Sequence, residues 1–220
     1  MIYREIFEEP EWNRNEIARY ARADINDERI SALIDECINE ARNIPEYRVC
    51  YTVDDIRRSG SLLSFCGIET DSNTITKAVN GCERIVLFAA TIGSPYDRLI
   101  ASYSRLEPSK ALIFQAIGAE RIESLCDAFC TKMNTELHES GKSLRPRVSP
   151  GYGDIPLQMQ KALFKVLDCE RKIGLTLNES LLMSPSKSVT ALAGVGAYQM
   201  RNIDRCASCN QVNCVYKNKR

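Results

Sequence analysis

Residues 145–160 read RPRVSPGYGDIPLQMQ, and the reading of the whole chain turns on them. Two arginines precede a Pro-Gly-Tyr-Gly run, and an aspartate follows it. Pro150 fixes its own φ and pushes Ser149 toward an extended backbone. Gly151 has no Cβ, so a ligand can come close to its peptide groups. Gly153 adds turning freedom, and Asp154 is placed to cap the helix that follows. The segment thus offers the Arg147 guanidinium, open peptide groups at Ser149 and Gly151, and the ring of Tyr152. A guanidinium fork grips a carboxylate through two hydrogen bonds, which suits an amino-acid ligand. The same residues also make an ordinary strand-to-helix connection, and composition alone favours that plainer use.

Upstream, helical periodicity predicts a long helix over 108–139, ending near Gly141. On a wheel of about 100° per residue, Leu112, Ala119, Ile122, Cys126, Phe129, Cys130, Met133 and Leu137 form an apolar face. Glu123 falls on the margin of that stripe, where an unpaired carboxylate is costly. It is either a boundary glutamate that reaches solvent or pairs with a nearby arginine, which is the commoner case, or a group facing a ligand cleft. His138, the one histidine of the chain, reads as a surface residue.

Further out, Asp27 and the apolar residues from Ile30 to Ala41 predict a helix over 27–43. A strand starts at Tyr47, and a short helix runs from Asp71 or Ser72 toward Gly81. The apolar run at 85–90 reads as a strand buried on both faces. Gly93-Ser94-Pro95 ends it and opens a helix. A helix around 157–167 follows the loop, then two or three strand-like pieces. Helices and strands mix without steady alternation, so an α+β fold is expected: one domain with a mainly antiparallel or mixed sheet and several helices. We divide the chain into an N-terminal arm at 1–25, a main domain at 26–200 and a cysteine-containing tail at 201–220.

The chain has 220 residues, enough for a real core without staples, and 29 basic against 29 acidic side chains. That balance argues against nucleic-acid binding by bulk charge. No apolar run has membrane-spanning length and no signal segment is visible, so a cytoplasmic protein is expected. Seven of the ten cysteines are scattered and read as small buried hydrophobes in a reducing compartment.

RVSPGYGDIPLQMQKALFKVLD followed by IGLTLNESLLMSPSKSVTALAGV resembles the activation, S-adenosylmethionine-binding, domain of cobalamin-dependent methionine synthase, in its short stand-alone form. The matching features are Arg147 to Tyr152, then Asn178-Glu179-Ser180, Pro185 and Ser188-Val189. The resemblance implies that Arg147 grips the carboxylate of S-adenosylmethionine, that Ser149 and Gly151 contact it through backbone, and that Tyr152 packs beside it. It implies an acidic contact at Glu123, and it makes Asp24 and Tyr198 conceivable counterparts of two further family positions. Asn178 stands where the family has threonine, and Glu179 serves the fold rather than the ligand.

The implied function is an accessory role. The chain binds S-adenosylmethionine while the cobalamin of a partner methionine synthase or other corrinoid methyltransferase is reductively methylated. No general acid or base is needed, and the chain carries no Asp-x-His-x-x-Gly cobalamin motif. Cobalamin would come with the partner's binding module, and electrons from a flavodoxin-like or ferredoxin-like reductant. Two alternatives stand beside this reading: a non-catalytic interaction module of the same fold, and a metal or redox protein. The second rests on Cys206-x-x-Cys209-x-x-x-x-Cys214, a chelating pair with a third thiol that would hold zinc or an iron–sulfur cluster. A fourth ligand is then required, and Cys66, Cys82 or Cys169 could supply it.

Overall fold

The apolar run at 85–90 forms the middle of a ten-residue strand, Cys82–Thr91, and the rest of the fold is layered about it. The structure is a computed structural model that describes residues 1–198. In chain order the elements are β1 (Tyr3–Ile6), α1 (Arg14–Ala21), α2 (Glu28–Ala41), β2 (Arg48–Asp55), β3 (Arg57–Ser59), β4 (Leu62–Phe65), β5 (Ile68–Thr70), α3 (Asn73–Ala78), β6 (Cys82–Thr91), α4 (Ser94–Leu106), α5 (Pro108–His138), β7 (Lys142–Leu144), α6 (Met159–Leu167), α7 (Cys169–Ile173), β8 (Thr176–Leu177), β9 (Met183–Ser184) and β10 (Ser188–Ala197). The main sheet has the order β1-β2-β6-β10-β7, and every neighbouring pair is antiparallel. This is the α+β architecture expected from the irregular mixture of elements.

Strand alternation explains why β6 reads as continuously apolar. Val86, Phe88 and Ala90 face one core, built with α1, α2, α4 and α5. Ile85, Leu87 and Ala89 face a second core, built with α3, α6 and α7. Helices thus cover both sheet faces, and each side chain of β6 between 85 and 90 is shielded from water.

Helix boundaries follow local chemistry. Asp27 caps α2 by accepting from the Arg29 and Ile30 backbone N–H groups. Ser72 caps α3, and Pro95 sits in the first turn of α4. The α5 face departs from the wheel at its start: Leu112 is 58% exposed, whereas Lys110, Phe114, Ile117 and Arg121 are buried. The physical reason is that α1, α2 and α4 pack around α5, so its buried surface is wider than one sheet-facing stripe.

Residues 1–25, read above as an arm, supply β1 at one sheet edge and α1 against α5. Ile17 and Ala18 lie in the first core. Arg121, fully buried, ties this region down: it pairs with Glu120, donates to the Pro10 and Glu11 carbonyl oxygens at 2.6 Å each, and lies 4.1 Å from the Trp12 ring centre. All seven cysteines among the described residues are free thiols, and five of them are buried. No helix among these residues is long and apolar enough to cross a membrane.

Candidate functional site

The segment after β7 continues along the edge of β10. Arg145 N donates to Gly194 O at 2.7 Å, and Val148 exchanges two hydrogen bonds of 2.9 Å with Leu192. Extended backbone sends successive side chains to opposite faces. Val148 packs into the second core, and Arg147 turns the other way, toward α5.

On α5 the Arg147 Nη2 lies 2.5 Å from Glu123 Oε2 and 3.5 Å from Asp127 Oδ1. The two carboxylates are one helical turn apart and flank the same guanidinium. The Arg147 side chain is 15% exposed, against 41% for Glu123 and 62% for Asp127. Burial opposes the Arg147 charge, but the neighbouring Cys126, Glu123 and Asp127 outweigh it and raise its pKa. Both contacts use Nη2. Among the described residues no hydrogen-bond partner faces Nε or Nη1, so one edge of the fork has unused donors.

Helix α1 packs against α5, and its Tyr20 lies within the influence of Glu123. Burial, and then the charge of Glu123, raise the pKa of the half-buried Tyr20 phenol, whose ring carries the Arg19 guanidinium at 4.4 Å. Asp127 and Tyr20 were not anticipated from the sequence. Asp127 was findable, since it sits four residues beyond Glu123 on the same helix face; nothing local pointed to Tyr20.

The glycine loop differs from expectation in two ways. Its peptide groups are not all open: Gly151 N donates to Ile155 O at 2.9 Å, and Tyr152 N donates to Ser149 O at 3.1 Å. Asp154 does not cap the next helix, because α6 begins only at Met159 and its preceding residue is Gln158. Instead Asp154 reaches α3. Its carboxylate accepts from Ser72 Oγ at 2.6 Å, Asn73 N at 2.8 Å and Thr74 N at 3.0 Å. These bonds hold the carboxyl below the ordinary aspartate range. Gly151 has φ +86° and Gly153 φ +59°, conformations that favour glycine. Tyr152, between them, is 66% exposed.

Among the described residues, the other anticipated residues bond to groups outside this cluster. Asp24 accepts from Asn26 in a local turn. Tyr198 bonds through its backbone to Gly141 and packs edge-on against His138, which is exposed. Asn178 Oδ1 accepts from Leu182 N, and Glu179 lines a groove of about 580 Å³ beside α6. A second groove, of about 570 Å³, lies between Phe7 and Arg48. Neither groove includes Arg147, Glu123 or Tyr152.

Cys206, Cys209 and Cys214 lie outside the described residues. Of the three thiols considered as a fourth ligand, Cys82 and Cys169 are buried, and Cys66 is half-buried. Among the described residues no group of three or more His, Cys, Asp or Glu side chains is arranged to hold a metal.

Comparison with known proteins gives a family and a fold. No curated protein sequence matches the chain. A solved structure described as the crystal structure of the MetH reactivation domain bound to AdoHcy superposes with a TM-score of 0.67 at 13% identity. The superposition covers 91% of this chain and 80% of that one, which establishes the shared fold. Residues 70–199, more than half of the chain, match the family described as vitamin B12 dependent methionine synthase, activation domain. Residues 145–160, the helix α5 and the strand β10 all lie inside that match, and the chain belongs to this activation-domain family.

Proposed function

We propose that the chain binds S-adenosylmethionine through the Arg147–Glu123 cluster and presents it to a corrinoid carried by a partner protein. The observation that carries this reading is the guanidinium of Arg147. It is mostly buried, it is flanked by two carboxylates, and its Nε and Nη1 donors have no partner among the described residues. An α-amino-acid group matches that arrangement charge for charge. Its carboxylate suits the open edge of the fork, and its ammonium suits Glu123 and Asp127. AdoHcy, the molecule bound to the structural relative, carries the same amino-acid end. Ser149 and Gly151 supply the adjacent backbone, where carbonyl oxygens are the groups available at Gly151. The ring of Tyr152 is free to cover the adenosyl portion.

The chain's part in the reaction is orientation. Methyl transfer from a sulfonium needs no proton to be moved, and none of the residues in the cluster is asked to move one. When bound, the partner's cobalamin supplies the methyl acceptor and the redox chemistry. Holding the methyl donor in line with it is what a binding protein can contribute. The partner would be the cobalamin-binding module of a methionine synthase or another corrinoid protein, with a flavodoxin-like or ferredoxin-like reductant. We further propose Cys206, Cys209 and Cys214 as thiolate ligands for zinc or an iron–sulfur cluster.

Calorimetric titration with S-adenosylmethionine tests the reading. Saturable binding by the wild type, weakened by Arg147→Ala, is the expected result. A wild type that gives no binding signal would instead favour a non-catalytic interaction module.

A further inference from the structure

We infer that Asp154 is a positioning residue for the ligand loop, acting by stapling the Gly151-Tyr152-Gly153 turn to α3. The inference rests on the proposed S-adenosylmethionine site and adds to it a residue that need not touch the ligand.

Asp154 and α3 are about eighty positions apart in sequence, yet three donors of one short segment converge on this carboxylate. Ser72 Oγ and the backbone N–H groups of Asn73 and Thr74 are all engaged, and Thr74 Oγ1 accepts in return from Asp154 N at 3.4 Å. The contact is tight on the adjacent residue too. A Cβ at Gly153 would collide with Thr74 Oγ1, so loop and helix meet backbone to side chain with no spacer. Elsewhere the loop is held by its own turn, by Ile155 buried in the second core, and by Val148 on β10. Between the Val148 and Ile155 anchors, the Asp154 staple is what fixes the direction of the turn that carries Tyr152.

Without the staple the turn would have to be ordered when the ligand binds, and that ordering entropy would subtract from affinity. The staple does this without facing the ligand: its bonds run from the loop to α3, while the guanidinium of Arg147 faces α5. Tying α3 to the loop also places Ser72 and Thr74, well before the loop in sequence, among the residues on which the site depends.

The test is calorimetry with S-adenosylmethionine on the full chain, with amide hydrogen exchange read at Gly151 and Tyr152. Asp154→Ala is expected to weaken binding about tenfold and to speed exchange at both amides. Asp154→Asn keeps one acceptor oxygen for Ser72 and Thr74 and is expected to recover part of the affinity. Asp27→Ala is the control, because it removes an aspartate that caps a helix, α2, through bonds that involve no loop residue. It should lower stability and leave affinity and exchange at 151 and 152 unchanged. If Asp154→Ala does not fold, Asp154→Asn alone decides, with several-fold weaker binding expected. Wild-type binding left intact by the Asp154 variants, or weakened equally by Asp27→Ala, overturns this inference alone. Absence of wild-type binding overturns the functional reading and this inference together.

Discussion

Gly153 lies so close to Thr74 that no β-carbon fits between them: one built on residue 153 collides with the Thr74 hydroxyl. Its φ of +59° disfavours any other residue independently. Gly153→Ala should therefore destabilise the protein by about 1–3 kcal/mol, through strain and displacement of Thr74. Thermal unfolding will show the loss as a lowered midpoint. A variant that melts with the wild type would mean that the loop can leave α3 without consequence.

Arg147→Ala should cost about 1.5–3 kcal/mol of S-adenosylmethionine affinity, the range for a lost charged hydrogen bond. Arg147→Lys should recover little, because an ammonium cannot offer two parallel donors. Decarboxylated S-adenosylmethionine supplies the sharper check. It lacks the group assigned to the guanidinium, so its affinity should be weak and should respond little to Arg147→Ala. Equal sensitivity of both ligands to the substitution would place the carboxylate somewhere else.

Replacing Arg121 by Met should destabilise the fold by about 3–5 kcal/mol, since Glu120 is 2% exposed and would be left as a buried, uncompensated charge. Two carbonyl oxygens, of Pro10 and Glu11, would lose their donor as well. The double replacement Glu120→Gln with Arg121→Met should be less harmful than the single one. Urea unfolding of the three proteins measures both differences.

Acid should act on the Asp154 staple with a definite sign. Hydrogen bonds from Ser72 first, and then from Thr74 and Asn73, hold its pKa below the ordinary 3.8. A carboxylate with a lowered folded-state pKa contributes its stability above the unfolded-state value and loses it as pH falls through the folded one. The gap in melting temperature between wild type and Asp154→Ala should stay constant from neutral pH to about pH 5 and close below about pH 4. A gap that widens on acidification would contradict the assignment.

Protein purified without oxygen should contain zinc or iron, and Cys209→Ser should abolish it. Elemental analysis with a visible spectrum separates the two metals, because thiolate-bound zinc is colourless and an iron–sulfur cluster is not. A metal-free wild type removes the proposal and leaves the S-adenosylmethionine reading untouched.

Much of this architecture was legible because its causes are local. The Asp27 cap, the 85–90 core of β6 and the length of α5 follow from neighbours within a few positions. What was misread depends on partners distant in sequence. Leu112 is exposed, and Lys110 and Arg121 are buried, because three other helices gather around α5. Asp154 carries the residue type of a helix cap and does cap a helix, but one that precedes it by about eighty positions. The cluster was half visible. Helical phase put Glu123 at the edge of the buried face, whereas its meeting with Arg147 requires β10 to carry the loop alongside α5.

The sheet order has a bearing on how this protein can be cut. The region shared with the family begins at residue 70, yet β1 and β2 come earlier and complete one side of the sheet beside β6. A fragment trimmed to that region would bare the flank of β6 and remove the α1 and α2 share of the core that holds Phe88. Such a piece is expected to be sticky and insoluble. Grafts and crystallisation fragments should therefore retain the opening segment, even though the recognisable signature starts a third of the way along.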